Sequence, residues 1–260
     1  MNCCTRFTLL AMLLVVQNTA RADLSLETET ARTQLQGHYQ ISMAAEFQYA
    51  SDGKEAAIPF AFEYGITDRL EVLVEPVPYI GIFAGGEKKI HGLGDIEVTL
   101  TYLALPEQEQ MPAIAFAAEV KLPTAQDLSI GTREFDYAFY VIASKQIGNL
   151  DLHANLSYTF IGEPTGTSAK DVWSVALAGD YTLNDKWDLF AEVMYTTSAQ
   201  DGVLPGGDSG DAVSAEVGGV DIVGTLGARY KINKDISIFS SVSYNNQDDT
   251  LVRAGITWQF

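Results

Sequence analysis

Charged side chains recur at even spacings in several stretches of the chain. Glu71 and Glu75, Asp95 and Glu97, Glu119 and Lys121, and Asp188 and Glu192 keep that spacing, while Arg229 and Arg253 alternate with apolar neighbours. In an extended strand successive side chains point to opposite faces, so residues at even spacing share one face. Asp136, Asp151, His153, Asp180, Asp221 and Lys231 fall on the same kind of face. Two chemistries fit this pattern. Lining a water-filled passage, fixed carboxylates concentrate cations and repel anions. In a filled interior, Lys121, Arg229 and Arg253 instead pair with neighbouring carboxylates. The residue types and spacings leave both open.

Other chemistry finds little support. The three histidines, His38, His91 and His153, complete no recognised catalytic constellation. The pairs Gly85-Gly86 and Gly206-Gly207 lack the Lys-Ser/Thr that completes a phosphate-binding loop. Asp201, Asp208, Asp211 and Glu216 match no calcium-loop spacing. We therefore expect no catalytic residues, no metal and no cofactor, and a solvated acidic loop between Ala199 and Gly218.

The elements that must carry these residues are strands. Met1 to Ala22 reads as a secretory signal: Arg6 supplies a positive start, and Phe7–Val16 is an apolar run too short for a membrane helix of about 20 residues. Ala20-Arg21-Ala22 fits the cleavage pattern, which puts the mature start at Asp23. Both cysteines, Cys3 and Cys4, precede the apolar run and leave with it, so the mature chain has no disulfide or thiolate site. Loss of Arg6 and Arg21 leaves 14 Lys and Arg against 34 Asp and Glu, a net charge of −20. Nucleic-acid surfaces need clustered cations, so no nucleic-acid partner is expected. No later apolar run approaches the length of a membrane helix, and the only way such a chain can span a membrane is as a closed β-barrel.

Asp23 to Gln36 is polar with little strand signal, and reads as a periplasmic extension short enough to tuck into a lumen. From Gly37 to Phe260 about twelve strand-like segments follow, near the roughly 9–11 residues that a tilted membrane strand needs. Their connections alternate in length. Thr67-Asp68-Arg69, Pro106–Gln110, Ile147-Gly148-Asn149, Asn184-Asp185-Lys186 and Asn233-Lys234-Asp235 are turn-like. Ile80–Gly92, Pro123–Arg133, Gly162–Lys170 and Ala199–Gly218 are longer, with Ser51–Lys54 and Asn245–Asp249 as short members of that set. Short periplasmic turns alternating with longer external loops mark an outer-membrane barrel. Tyr and Trp near the strand ends, such as Tyr64, Tyr102, Trp187 and Trp258 at one side and Tyr79, Tyr158, Tyr195 and Tyr244 at the other, fit two interfacial girdles. The last strand, TLVRAGITWQF, alternates strictly and ends on an aromatic. It reads as the closing strand, with Trp258 and Phe260 as an assembly signal.

Three segments, YGITDRLEVLVEPVPY (Tyr64–Tyr79), GLGDIEVTLTY (Gly92–Tyr102) and AIAFAAEVKLPT (Ala113–Thr124), carry a family resemblance. With Gly65 and Asp68 in a turn, Gly92-x-Gly94-Asp95 at a strand start and Lys121-Leu122-Pro123-Thr124 at a strand exit, the chain resembles the outer-membrane proteins of the phenol-degradation meta-pathway (MetA-pathway) family. Ala125 stands where the family pattern has Gly. The resemblance implies an outer-membrane barrel and a channel for small molecules. The expected fold is an all-β, antiparallel transmembrane barrel. The expected function is passive uptake of small organic molecules, aromatic or cationic, with a structural or adhesive barrel as the rival. The expected partners are outer-membrane lipids and lipopolysaccharide, the barrel-assembly machinery and a small solute. N-terminal sequencing of the mature protein should read Asp23 first, and fractionation should recover it with the outer membrane; a soluble periplasmic product would contradict both the signal and the barrel.

Overall fold

The computed structural model describes residues 26–51, 53–84, 89–163, 169–199 and 220–260. The expected signal segment with Cys3 and Cys4, the expected mature start at Asp23, Gly85-Gly86, and residues 200–219 of the long loop lie outside them. Among the described residues the alternating segments form fifteen strands: β1 (Tyr39–Tyr49), β2 (Gly53–Ala57), β3 (Phe60–Thr67), β4 (Leu70–Pro76), β5 (Ile80–Ala84), β6 (Lys89–Gly92), β7 (Ile96–Leu105), β8 (Ala113–Leu122), β9 (Asp136–Ile147), β10 (Leu150–Phe160), β11 (Val172–Thr182), β12 (Trp187–Thr196), β13 (Asp221–Lys231), β14 (Ile236–Asn245) and β15 (Thr250–Gln259).

Neighbours in the sheet pair antiparallel, and β15 returns to β1 in register from Gln40↔Gln259 to Tyr49↔Thr250. Three of the barrel strands are interrupted. β2 and β3 are one strand broken at Ile58-Pro59, β4 and β5 are broken at Val77–Tyr79, and β6 and β7 at Leu93–Asp95. Counted so, the fold is a closed barrel of 12 antiparallel strands. Proline has no N–H to give to a ladder, which accounts for the breaks at Pro59 and Pro78. The ladder resumes through Ile58 N–H to the Tyr79 carbonyl at 3.0 Å and Gly94 N–H to the Val77 carbonyl at 2.8 Å.

Beyond the breaks, β2, β5 and β6 continue as a three-stranded extension. The stretch Ile80–Gly92, expected as a loop, is therefore mostly a hairpin. Its two strands are only 5 and 4 residues long, too short for alternation to show. The segment Pro123–Arg133 folds against this extension and buries Ala125 and Ile130 with Ala57 and Ile80.

Side chains alternate between the two faces of the wall. On the outer face Leu100 is 45% exposed and Val193 48%, while their neighbours Thr99 and Glu192 are 3% and 6% exposed. Apolar side chains face out and polar ones face in, which inverts the arrangement of a soluble protein and suits a barrel with lipid outside. An arginine on the lipid face near mid-membrane costs about 2–4 kcal/mol in such barrels. Leu100→Arg should therefore lower the denaturant midpoint of the folded barrel far more than Thr99→Arg, whose side chain enters the polar interior. Equal losses would show that the outer face does not meet lipid.

Candidate functional site

The interior is built from alternate residues of all twelve barrel strands, and the polar segment Leu26–Gln36 runs through it. Two residues in the β3–β4 turn region admit the segment. A Cβ on Gly65 would lie 2.1 Å from the Leu35 carbonyl oxygen, so only glycine lets the segment pack this closely on the inner face of β3. The Gly65 carbonyl accepts the Gly37 N–H at 2.9 Å, and Asp68 accepts the Gln36 N–H at 3.0 Å. Gly65 and Asp68 are thus the seat of the N-terminal segment.

Further in, the segment supplies donors to carboxylates on the wall. Glu71 accepts the Gln34 N–H at 2.5 Å, and Glu63 accepts the Gln34 side-chain amide at 3.0 Å. Glu192 accepts both the N–H and the hydroxyl of Thr28, at 2.6 and 2.5 Å. Ser144, 2.8 Å from His153 Nδ1, accepts the Ala31 N–H at 2.8 Å. Arg32 makes a two-pronged ion pair with Asp151, at 2.7 and 3.0 Å, and reaches Glu107 at 2.6 Å. On the far side Glu27 pairs with Arg253 at 2.5 Å, and Arg253 also holds Glu46 at 2.5 Å. A buried carboxylate needs compensation. Here much of it comes from backbone N–H and hydroxyl groups of the segment rather than from cations on the wall.

The other charged residues named from the sequence form groups along the barrel. Asp188 meets Lys231 at 2.7 Å and Arg229 at 3.7 Å, and Arg229 reaches Asp180 at 3.1 Å. Lys121 pairs with Asp136 and lies across from Glu97 in register. Glu119 accepts from Thr99 at 3.2 Å and from Tyr140 at 3.0 Å. Asp95 accepts the Ala125 N–H at 2.8 Å and so ties the Pro123–Arg133 segment to the start of β7. Glu75 is half-buried on the strand of Glu71. Trp258 pairs with Ile41 across the seam, and Phe260 exchanges backbone hydrogen bonds with Tyr39 at 2.9 and 3.2 Å and stacks on its ring at 4.7 Å.

An apolar collar crosses the same interior. Ala44, Ala61, Leu73, Phe190 and Phe239 are buried together, and Leu26 packs against them. The rings lie flat on the wall because the facing residues are glycines: a Cβ on Gly227 would come within 2.2 Å of Phe190, and one on Gly255 within 2.3 Å of Phe239. Phe190 stands between Asp188 and Glu192 on the polar face of its strand, and sequence reasoning gave it no role. Sequence reasoning also missed Glu46, Glu63, Thr28 and Arg32 as site residues. The only sequence signal for the collar was a phenylalanine at a polar-face position of an alternating strand.

The segment's own charges respond to this setting. Burial pushes the Glu29 carboxyl well above the usual range, and Glu75, Glu71, Glu119 and Glu27 push it the same way. In the β7–β8 turn, burial alone would raise Glu107, but Arg32, the Gln146 N–H and Lys145 hold it below that range.

Residues 78–260 match the model of the family described as "Putative MetA-pathway of phenol degradation". The chain belongs to that family. A search of curated proteins finds no match. Among solved structures, the chain is similar to the COG4313 outer membrane channel from Pseudomonas putida F1, with a TM-score of 0.63 and 13% identity over 90% of this chain and 100% of that one. It is also similar to the NanC porin, with a TM-score of 0.57 and 12% identity over 84% and 98% of the two chains. The KdgM porin, solved in complex with disordered oligogalacturonate, gives 0.55 and 14% over 85% and 99%. At these identities the likeness is one of fold: this family member shares the outer-membrane barrel architecture of channels and porins.

The acid on the segment gives its docking a pH dependence. Docking raises the Glu29 pKa, so the docked segment takes up a proton that the free one, near the usual value of about 4.3, would not hold. That contribution is full below the free value and is lost as pH rises through the raised one. The lowered Glu107 works in reverse: its pairing with Arg32 contributes above about 4.3 and fades as pH falls through its lower value. Amide protection at Thr28 and Ala31 should therefore increase as pH falls through the raised Glu29 value and decrease again below about 4.3, where the Glu107 contribution fades. Glu29→Gln should flatten the upper limb and leave the lower one; an unchanged upper limb would remove Glu29 as its cause.

Proposed function

We propose that this family member is an outer-membrane channel for passive uptake of small organic molecules, and that the segment Leu26–Gln36 governs whether it is open. The observation that carries this reading is a closed barrel with a polar interior whose filling segment is held mainly by hydrogen bonds and ion pairs, with apolar contacts at Leu26 and Ala31. Such contacts can be exchanged for water or solute, whereas a covalent or fully apolar core could not. Glu71, Glu75, Asp95, Glu97, Glu119 and Glu192, with Lys121, Asp188, Arg229 and Arg253, are proposed to line the path. The fold likeness to solved channels and porins supports transport. The oligogalacturonate found with the KdgM porin is an anion, and an interior this rich in carboxylates would repel one. The solute proposed here is cationic or neutral.

Export through a cleaved signal, a lipid and lipopolysaccharide environment, and recognition of Trp258 and Phe260 by the barrel-assembly machinery complete the reading. The packing of Phe260 on Tyr39 supports a role for the last strand in closing the seam. The seated segment favours one rival, a barrel that does not transport. Planar-bilayer recording separates them. Gly65→Ala should lift the segment from its seat and raise conductance above wild type, with cation selectivity. Replacing Glu71, Glu75, Asp95 and Glu97 by their amides in that background should shift the reversal potential toward anions, and the shift should shrink at high salt, where the field is screened. A folded Gly65→Ala barrel without conductance would favour the non-transporting reading.

A further inference from the structure

The way Leu26 and Thr28 sit in the barrel describes a binding site in its own right. Leu26 packs against the collar formed by Leu73, Phe190, Phe239 and the small residues Ala44 and Ala61. Two residues on, Thr28 directs two donors at a single oxygen, Oε2 of Glu192. Phe190 and Glu192 lie two apart on β12, with Phe190 3% and Glu192 6% exposed, so both point inward about 7 Å apart along the strand. The collar and the carboxylate are therefore one step from each other, and the segment spans that step with a branched apolar side chain followed by hydrogen-bond donors.

We infer that this is a solute site, occupied by the segment in its docked state, and that its ligand is a small organic ammonium bearing an aromatic or branched apolar group. The inference rests on the channel reading and names its solute class. When Leu26 and Thr28 leave, Glu192 loses both donors on Oε2. What remains to it among the contacts described is the Thr225 hydroxyl, 3.5 Å from Oε1. An ammonium replaces the two donors and adds charge compensation that Thr28 does not provide. The apolar group takes the place of Leu26 against rings held flush with the wall by Gly227 and Gly255. After Glu27 leaves, Glu46 still holds Arg253, and the site keeps the Glu192 carboxylate. An anion is disfavoured there. The segment thus competes directly with the solute, and solute binding and undocking are one event.

Calorimetry on the full-length refolded barrel tests this. Phenethylammonium is the probe, with methylammonium and 2-phenylethanol as controls that lack the ring and the charge. Thr28→Pro removes both donors to Glu192 and frees the site while keeping the chain intact. Phenethylammonium should bind this variant on the order of tenfold more tightly than wild type, and on the order of tenfold more tightly than either control. Adding Glu192→Gln should abolish the preference over 2-phenylethanol. Adding Phe239→Ala, which leaves the carboxylate in place, should abolish the preference over methylammonium. Equal affinity for wild type and Thr28→Pro, or equal affinity for probe and controls, would overturn the site. Each variant's folded state is checked by its mobility on cold gels, and the Phe239→Ala arm decides if Glu192→Gln does not fold. Failure of the channel reading is seen separately: no conductance from Gly65→Ala with this binding pattern intact would leave the site standing and remove transport.

Discussion

Every backbone N–H and C=O that enters lipid must find a partner within the protein, and this requirement governs the structure. A β-strand meets it only if both its edges are paired, so the sheet has to close on itself. The ten-residue register between β1 and β15 is where that closure is made. Phe260 stacked on Tyr39 caps its periplasmic end. Once the sheet is closed, the inside and outside of the wall are set for all strands at once, and the apolar side chains face lipid.

Closure also creates the electrostatic problem that the interior must solve. Wall carboxylates brought to face one another outnumber the cations beside them. Part of the solution lies on the wall, in Lys121 with Asp136 and in Arg229 with Asp180 and Asp188. The rest comes from the N-terminal segment, whose backbone N–H groups at Thr28 and Gln34 and whose Arg32 reach Glu192, Glu71, Asp151 and Glu107. Gly65 and Asp68, singled out in the sequence by their resemblance to the family although they precede the residues 78–260 that match its model, form the point where this segment enters. Asp95, from the same resemblance, fixes the Pro123–Arg133 segment at the other end. The motif residues thus hold the two irregular segments that pack against the regular wall.

The breaks at Pro59 and Pro78 show how local chemistry modifies the barrel without opening it. Each proline removes a ladder donor, and the hydrogen bonds from Ile58 and Gly94 carry the pairing past the gaps. The hairpin beyond them, built on Ile80, Ile82 and Ile90, gives the Ala125–Ile130 segment an apolar surface to cover.

Strand alternation is a local property, and so the sequence alone determined the wall: the antiparallel strands, the face of Glu71, Glu97 and Glu192 opposite that of Leu100 and Val193, and the tight turns at Asp68, Gly148 and Asn184. It also carried the family motifs, though not what they hold. The short strands of the β5–β6 hairpin were read as loop because four or five residues are too few for a period of two to stand out. The contents of the interior were decided only by tertiary structure. Leu26–Gln36 is polar and without period, and nothing local distinguishes a segment bathed in the periplasm from one folded through a lumen. Thr28 meets Glu192 across 164 residues, and Arg253 meets Glu46 across 207. Such pairs exist only because closure brings distant strands around a common axis. The donors that compensate buried carboxylates, and the collar that receives Leu26, depend on that geometry and have no signature along the chain.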